Sequence, residues 1–339
     1  MDDAWIQAFL KSERKEDNKI SGYYHDNYIV KRNGNDLVIR VPHAEKKIHR
    51  MIPEEEVLIF LEKAGFPAPR LLYVDPDSQF VVHSYIEGKA LNHIYKRNKR
   101  VPDWIPTESA RLIKCLHRLD PAGLYPYSRG IANSPDSKGF FDCVLKQTKE
   151  IYSNYEPLLK NLYHELSFPE HPFERIEKER NRLLNRNFVV NHCDIHRGNF
   201  IFDENKKTLR LIDWETCQIG DPAYDLAVHL SKMRYDPDQE LLFLNEYLKG
   251  NRLFDNFIEL QKQVGIYRDL EIITLAVIDT FRYYQDLESP SFTHEEHLDY
   301  AARYFIKLKK AWSVWGMDGD ALPLEKIMDI FAFFANRNH

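Results

Sequence analysis

The chain has 339 residues, 43% of them hydrophobic, and a formal net charge of -5. That length and apolar content suffice for one large bilobal core or two domains, the evenly mixed charge excludes a long disordered tail, and a mildly acidic balance without a basic stripe excludes a nucleic-acid binder. The cysteines Cys115, Cys143, Cys193 and Cys217 lack CxxC spacing, Met1-Asp2-Asp3-Ala4-Trp5 has no signal-peptide character, and no run is long enough to cross a bilayer, so a reduced, cytoplasmic protein without a membrane partner is expected.

Tyr28-Ile29-Val30 and Leu37 to Val41 alternate as two strands, with Asn33-Gly34 as a tight-hairpin signal between them. Val57, Leu58, Leu61 and Ala64 mark a helix that starts after Pro53 and stops at Gly65, beyond which Pro67 and Pro69 prevent continuation. Leu71 to Val74 and Phe80 to His83, separated by Asp75-Pro76-Asp77-Ser78, form a second strand pair. Further on, Phe188-Val189-Val190 reads as a short buried strand, and Phe200 to Phe202 and Leu209 to Ile212 as a hairpin. Gly220-Asp221-Pro222 then opens a helix with an N-cap Asp and Pro at its first position, its apolar stripe running through Leu226, Leu230 and Met233.

The segment His192 to Asn199, followed by Leu211 to Glu215, places an Asp, an Asn and a second Asp in the order and spacing that kinases use for phosphoryl transfer. The transferred group spreads negative charge over its oxygens, so Mg2+ must be held on the phosphates and the attacking hydroxyl aimed in line. Asp194 is the candidate that orients the hydroxyl and accepts its proton, while Asn199 and Asp213 are hard oxygen ligands suited to Mg2+. The hairpin between them returns Asp213 to the side of Asn199.

His192-x-Asp194 with Asn199, then Ile212-Asp213-Trp214-Glu215 and Gly220 to Ala227, resembles the aminoglycoside phosphotransferase and choline kinase family. The resemblance implies an α+β, bilobal protein-kinase-like fold: a small, mostly antiparallel β N-terminal lobe with one helix over residues 1–87, a hinge at about 84–88, and a larger, mainly helical C-terminal lobe over 88–339. It implies that His192 braces the loop, that Asp194 is catalytic, that Asn199 and Asp213 bind Mg2+, and that Asp225 is a buttress. Ser84, Tyr85 and Ile86 take the place where the hinge backbone meets the adenine of ATP, with GTP an alternative donor. Gly22 and Tyr23 belong to the loop over the phosphates. Arg40 stands where the phosphate-pairing residue is ordinarily Lys, and keeps the charge while adding a fork of donors. Its carboxylate partner comes from Glu54, Glu55 or Glu56, with Glu54 favoured by its spacing ahead of Leu58 and Leu61.

The expected activity is transfer of the ATP γ-phosphoryl group to a hydroxyl of a small-molecule acceptor: an aminoglycoside-like or other antibiotic, or a cationic metabolite. From Asp269 to Asp299 eight acids, Asp269, Glu271 and Asp279 among them, face a single base, Arg282. Such a wall concentrates cations and makes those three the candidate acceptor-binding residues, although a charge run also reads as a solvated helix face. A metal site from His192, Asp194, His196 and His229 is the hydrolytic alternative, and Cys193 reads as a packed residue rather than a nucleophile. The other class is a pseudokinase that binds nucleotide without turnover, motivated by Arg40 and the glycine-poor loop. Retention of Asp194, Asn199 and Asp213 together favours the enzyme.

Overall fold

The computed structural model describes residues 6, 8–9, 19–21, 25–43, 52–77, 79–95, 99–127, 136–166 and 173–287, without the side chains of 21, 154–166 and 276–287. Gly22 and Tyr23 lie outside the described residues. The described residues group into two compact units, those within 1–133, 187–225 and 232–254 in one and those within 134–186, 226–231 and 255–339 in the other.

The first unit is built on a five-stranded antiparallel sheet. Its strands are β1 (Lys19–Ser21), β2 (His25–Arg32), β3 (Asn35–Pro42), β4 (Leu71–Val74) and β5 (Val81–Ser84), in the order β1-β2-β3-β5-β4. Asn33 and Gly34, at φ 51 and 82, make the two-residue turn between β2 and β3, because only residues that tolerate positive φ match the strand twist there. Strand alternation then sorts the side chains. Tyr28, Val30, Leu37, Ile39 and Val82 face a core with Ile6 and Phe80. The register Asn27↔Arg40↔Val81 and Ile29↔Val38↔His83 puts those residues on the opposite face.

Helix α1 (Glu54–Lys63) follows Pro53, whose carbonyl accepts from Glu56 and Val57 N–H at 3.1 and 3.2 Å. Its first-turn acids suit the positive helix end, and Glu54, Val57, Leu58 and Leu61 form the buried stripe. Gly65 at φ 68 closes the helix, with Phe66 N–H on Leu61 O at 2.9 Å and Gly65 N–H on Glu62 O at 3.1 Å.

The same unit carries β6 (Lys89–Ala90), α2 (Leu91–Ile94), α3 (Trp104–Leu116), β7 (Val189–Asn191), β8 (Phe200–Asp203), β9 (Thr208–Leu211) and β10 (Gln218–Gly220). β6-β8-β9 form a three-stranded sheet, and β7 pairs with β10. Helix α6 (Pro222–Met233) starts at Asp221, whose Oδ1 accepts from Ala223 N–H at 2.9 Å, and α7 (Pro237–Leu248) starts at Asp236 with the same Asx cap. The second unit holds α4 (Ser137–Leu166), α5 (Glu174–Glu179) and α8 (Phe257–Leu287). Phe140 and Phe141 meet Tyr267 edge-on, the Tyr267 hydroxyl donates to Ser137 O at 3.3 Å, and Asp142 receives the Arg180 fork at 2.5 and 2.6 Å. Among the described residues no helix is long and apolar enough to cross a membrane.

Gly88 joins β5 to β6 at φ 132, and a Cβ there would sit 2.5 Å from the Phe202 carbonyl oxygen. Gly88→Ala is therefore expected to cost about 3 kcal/mol, from left-handed strain plus a backbone clash. Urea unfolding measures it, and a loss below about 1 kcal/mol would show that the backbone has room there.

Candidate active site

The loop after β7 is held from below by one buried carboxylate. Asp225, in the first turn of α6, accepts the backbone N–H of His192 at 3.0 Å and of Cys193 at 2.7 Å, one on each oxygen, and Oδ2 also meets His117 Nε2 at 3.2 Å. Burial alone would push this carboxyl up, but the hydrogen bonds from the His117 ring and the His192 backbone N–H hold it below the usual carboxylate range. The clamp sustains a left-handed Cys193, φ 65, that turns the chain so that Asp194 leaves the loop. His192 donates from Nε2 to Ile212 O at 3.0 Å, accepts Asp194 N–H on Nδ1 at 3.3 Å, and packs on Trp214 with ring centroids 4.5 Å apart. Both ring nitrogens are thus engaged within the loop. Among the described residues no group of three or more His, Cys, Asp or Glu side chains could hold a metal ion. The partly buried Cys193 thiol, which accepts from Gln218 Nε2 at 3.0 Å, is pushed well up by desolvation and by Asp225, which suits a packed residue rather than a nucleophile.

The three residues singled out for phosphoryl transfer come together. Asn199 Nδ2 donates to Asp194 O at 2.9 Å and to Asp194 Oδ2 at 3.2 Å, so its amide oxygen is the atom left to face a cation. Ile212 N–H donates to Asn199 O at 3.0 Å, which brings the next residue, Asp213, alongside; Asp213 sits at φ 70, tolerable for an Asp. Asp194 is partly exposed, and its Oδ1 accepts from Lys232 Nζ at 2.8 Å while Oδ2 meets His196 Nε2 at 3.4 Å. Burial raises that carboxyl, but Lys232 and His196 outweigh it and hold it well below the usual range.

Arg40 projects from β3 into a pocket of carboxylates. Nη1 donates to Glu54 Oε1 at 2.8 Å, and Nη2 donates to Asp213 Oδ1 at 2.8 Å and to Glu215 Oε2 at 2.9 Å. His25 Nδ1 meets Glu215 Oε2 at 2.8 Å on the same side. Burial opposes the charge on Arg40, yet the surrounding carboxylates keep its guanidinium protonated beyond its ordinary range. Glu54, fully buried, is the member of the Glu54–Glu56 trio that makes the pair; burial pushes its carboxyl up and Arg40 pulls it down.

The segment Ser84-Tyr85-Ile86 continues from β5. Ser84 N–H donates to Arg70 O at 2.9 Å and Tyr85 N–H to Asp36 O at 3.3 Å, so two backbone donors of the segment expected to meet the adenine are engaged by Arg70, just before β4, and by Asp36 of β3. Asp269 and Glu271 lie on α8 in the second unit, where burial pushes the Asp269 carboxyl up; Asp279 lies on the same helix, with its side chain outside the described residues. Glu215, His25 and Lys232 are site residues that sequence reasoning did not assign. Glu215 could have been found, since it closes the motif that carries Asp213. Lys232 leaves no signal, because its distance from Asp194 follows from how α6 packs.

The sheet, α1 and the loop carrying Asp194 define a kinase-like α+β fold. Solved structures share it: a choline/ethanolamine kinase family protein from Mesorhizobium loti, 17% identical with a TM-score of 0.56, covers 88% of this chain and 91% of its own. The choline kinase LicA from Streptococcus pneumoniae, 18% identical with a TM-score of 0.56, covers 87% and 92%. The chain belongs to the phosphotransferase enzyme family, whose sequence model matches residues 19–257. A curated relative, the probable ethanolamine kinase of Arabidopsis thaliana, is 28% identical over 223 residues, which is 62% of this chain and 54% of that protein. The chain therefore spans about half the length of that relative.

His83, on the Arg40 face of the sheet, is pushed down to about 4 by burial and by the Arg40 charge. The unfolded chain binds a proton on this ring at higher pH than the folded one. The stability tied to a neutral His83 is thus complete above pH 6.5 and drains away as pH falls toward 4. His83→Leu is expected to remove about 2 to 3 kcal/mol of the parent's stability change between pH 7 and 4.5. Parallel urea titrations at those two pH values check this, and identical pH slopes would refute it.

Proposed function

We propose that this chain is an ATP- and Mg2+-dependent small-molecule kinase that transfers the γ-phosphoryl group to an alcohol hydroxyl. The observation that carries the reading is the convergence of Asp194, Asn199 and Asp213 through the Asn199–Asp194 and Ile212–Asn199 hydrogen bonds. Asp194 takes the hydroxyl proton as the oxygen attacks phosphorus, and the attacked phosphorus releases the ADP oxygen. The amide oxygen of Asn199 and the carboxylate of Asp213 fit Mg2+, a hard cation that shares its coordination with waters and phosphates. When bound there, Mg2+ would neutralise phosphate charge. Arg40 supplies positive charge on the same side, with Glu54 fixing its direction. On this reading the lobes divide at the hinge, 1–87 and 88–339, and Ser84 to Ile86 take the adenine side of the nucleotide.

The acceptor is a cationic alcohol. Two supports favour a compact amino alcohol over an antibiotic: the relative described as a probable ethanolamine kinase, and the surplus of acids after Asp269. A second reading, a nucleotide-binding pseudokinase, is favoured by one observation: Arg40 donates to Glu54, Asp213 and Glu215, leaving its fork committed to protein.

An ADP-release screen over ethanolamine, choline, gentamicin, a macrolide and simple sugars separates the two. The kinase reading expects Mg2+-dependent release with an amino alcohol, and no stimulation by any acceptor supports the pseudokinase. Asp194→Asn is expected to lower turnover about 10²- to 10⁴-fold while calorimetric ATP affinity holds within a few-fold. Asp213→Ala is expected to weaken Mg·ATP binding in calorimetry. Turnover of Asp194→Asn equal to the parent's would refute the assignment of the base.

A further inference from the structure

Lys232 lies one residue before the end of α6, and its Nζ reaches Asp194 Oδ1 at 2.8 Å in a partly buried pair, with side-chain exposures of 23% and 27%. The end of α6 that presents it is itself fixed to the loop carrying Asp194. Arg197 donates from Nε and Nη2 to the Met233 carbonyl at 3.0 and 2.8 Å, and Arg234 at φ 56 ends the helix immediately after. Arg197 belongs to the same loop as Asp194, so the lysine and the carboxylate share one rigid frame. The two Asp194 oxygens are held unequally. Oδ1 has the short, charge-assisted bond, whereas Oδ2 has only Asn199 Nδ2 at 3.2 Å and His196 Nε2 at 3.4 Å.

Resting on the kinase reading above, we propose that Lys232 is a positioning residue for the transfer: it pins Oδ1 of Asp194 and leaves Oδ2, beside Asn199, as the oxygen that receives the acceptor hydroxyl. Without that pin the carboxylate is held only by the longer Asn199 and His196 contacts, and the direction of the oxygen that should face the hydroxyl is less tightly fixed. An ordinary surface ion pair contributes little, so the two possibilities differ in what they predict for turnover.

The experiment compares Lys232→Met, Lys232→Arg, Asp194→Asn and the Lys232→Met/Asp194→Asn double variant in ADP release, with the most active acceptor of the screen and with water as acceptor. Lys232→Met is expected to lower kcat about tenfold or more while both KM values stay within about threefold. Lys232→Arg, which keeps a cationic donor, is expected to recover most of the loss. In the Asp194→Asn background, Lys232→Met is expected to cost nothing further, because the group it positions no longer carries a carboxylate oxygen that works as a base. The proposal is overturned by a parent-like kcat in Lys232→Met, by a loss confined to KM, or by an equal loss with and without the Asp194 carboxylate. If Lys232→Met melts too low to assay, Lys232→Gln is read by the same criteria. Failure of the kinase reading looks different: Asp194→Asn then matches the parent, whereas a dead Asp194→Asn beside an unaffected Lys232→Met sinks only the role of Lys232.

Discussion

The buried guanidinium of Arg40 is the interaction on which the site depends. It lies in a sheet face next to Glu54, Asp213 and Glu215, three carboxylates that could not share so small a space without it. Removing a partner from such a buried set costs several kcal/mol, because the charges left behind have lost both their counter-ion and water. The same cation therefore organises two separate parts of the chain: the first turn of α1 through Glu54, and the turn after β9 through Asp213 and Glu215. An arginine suits this better than a lysine would, since one planar fork sends separate donors in fixed directions to different carboxylates. Asp213 gives one of its oxygens to Arg40.

A second carboxylate organises the other half of the site from below. Asp225 is fully buried and accepts two consecutive backbone N–H groups, which is how a non-glycine residue, Cys193, is kept in the left-handed region immediately before Asp194. The backbone strain is localised at the residue immediately before Asp194. At the far end of the same helix, Arg197 grips the Met233 carbonyl. Helix α6 is thus fastened to the loop at both of its ends: Asp225 holds the backbone of His192 and Cys193, and Lys232 meets the Asp194 carboxylate.

Much of the local structure was legible in the residues. Asn33-Gly34, Pro53 with Gly65, and Asp221-Pro222 each specify backbone torsions or an end-cap by their own chemistry, and each turn or helix end formed where that chemistry placed it. His192, Asp194, Asn199 and Asp213 were legible because a loop and a hairpin of set length keep them close in the chain. Glu54 was favoured over Glu55 and Glu56 by its spacing ahead of Leu58 and Leu61 and does pair with Arg40, although the rotation of α1 against β3 that sends it there was hidden. The availability of the Ser84 and Tyr85 N–H groups was likewise hidden: it depends on Arg70 and Asp36, distant in sequence, presenting their carbonyls.

What the sequence by itself determined is the set of short-range choices: where strands turn, where helices start and stop, and which oxygen-bearing residues sit at kinase-like spacing. Those follow from torsional preference and capping, which act over a few residues. Only the tertiary structure decided that Arg40 is shared among three carboxylates, that His25 joins them, and that Lys232 lands on Asp194. Charges find one another through space once packing has excluded water, and the partner that ends up nearest depends on helix rotation and strand register rather than on separation along the chain.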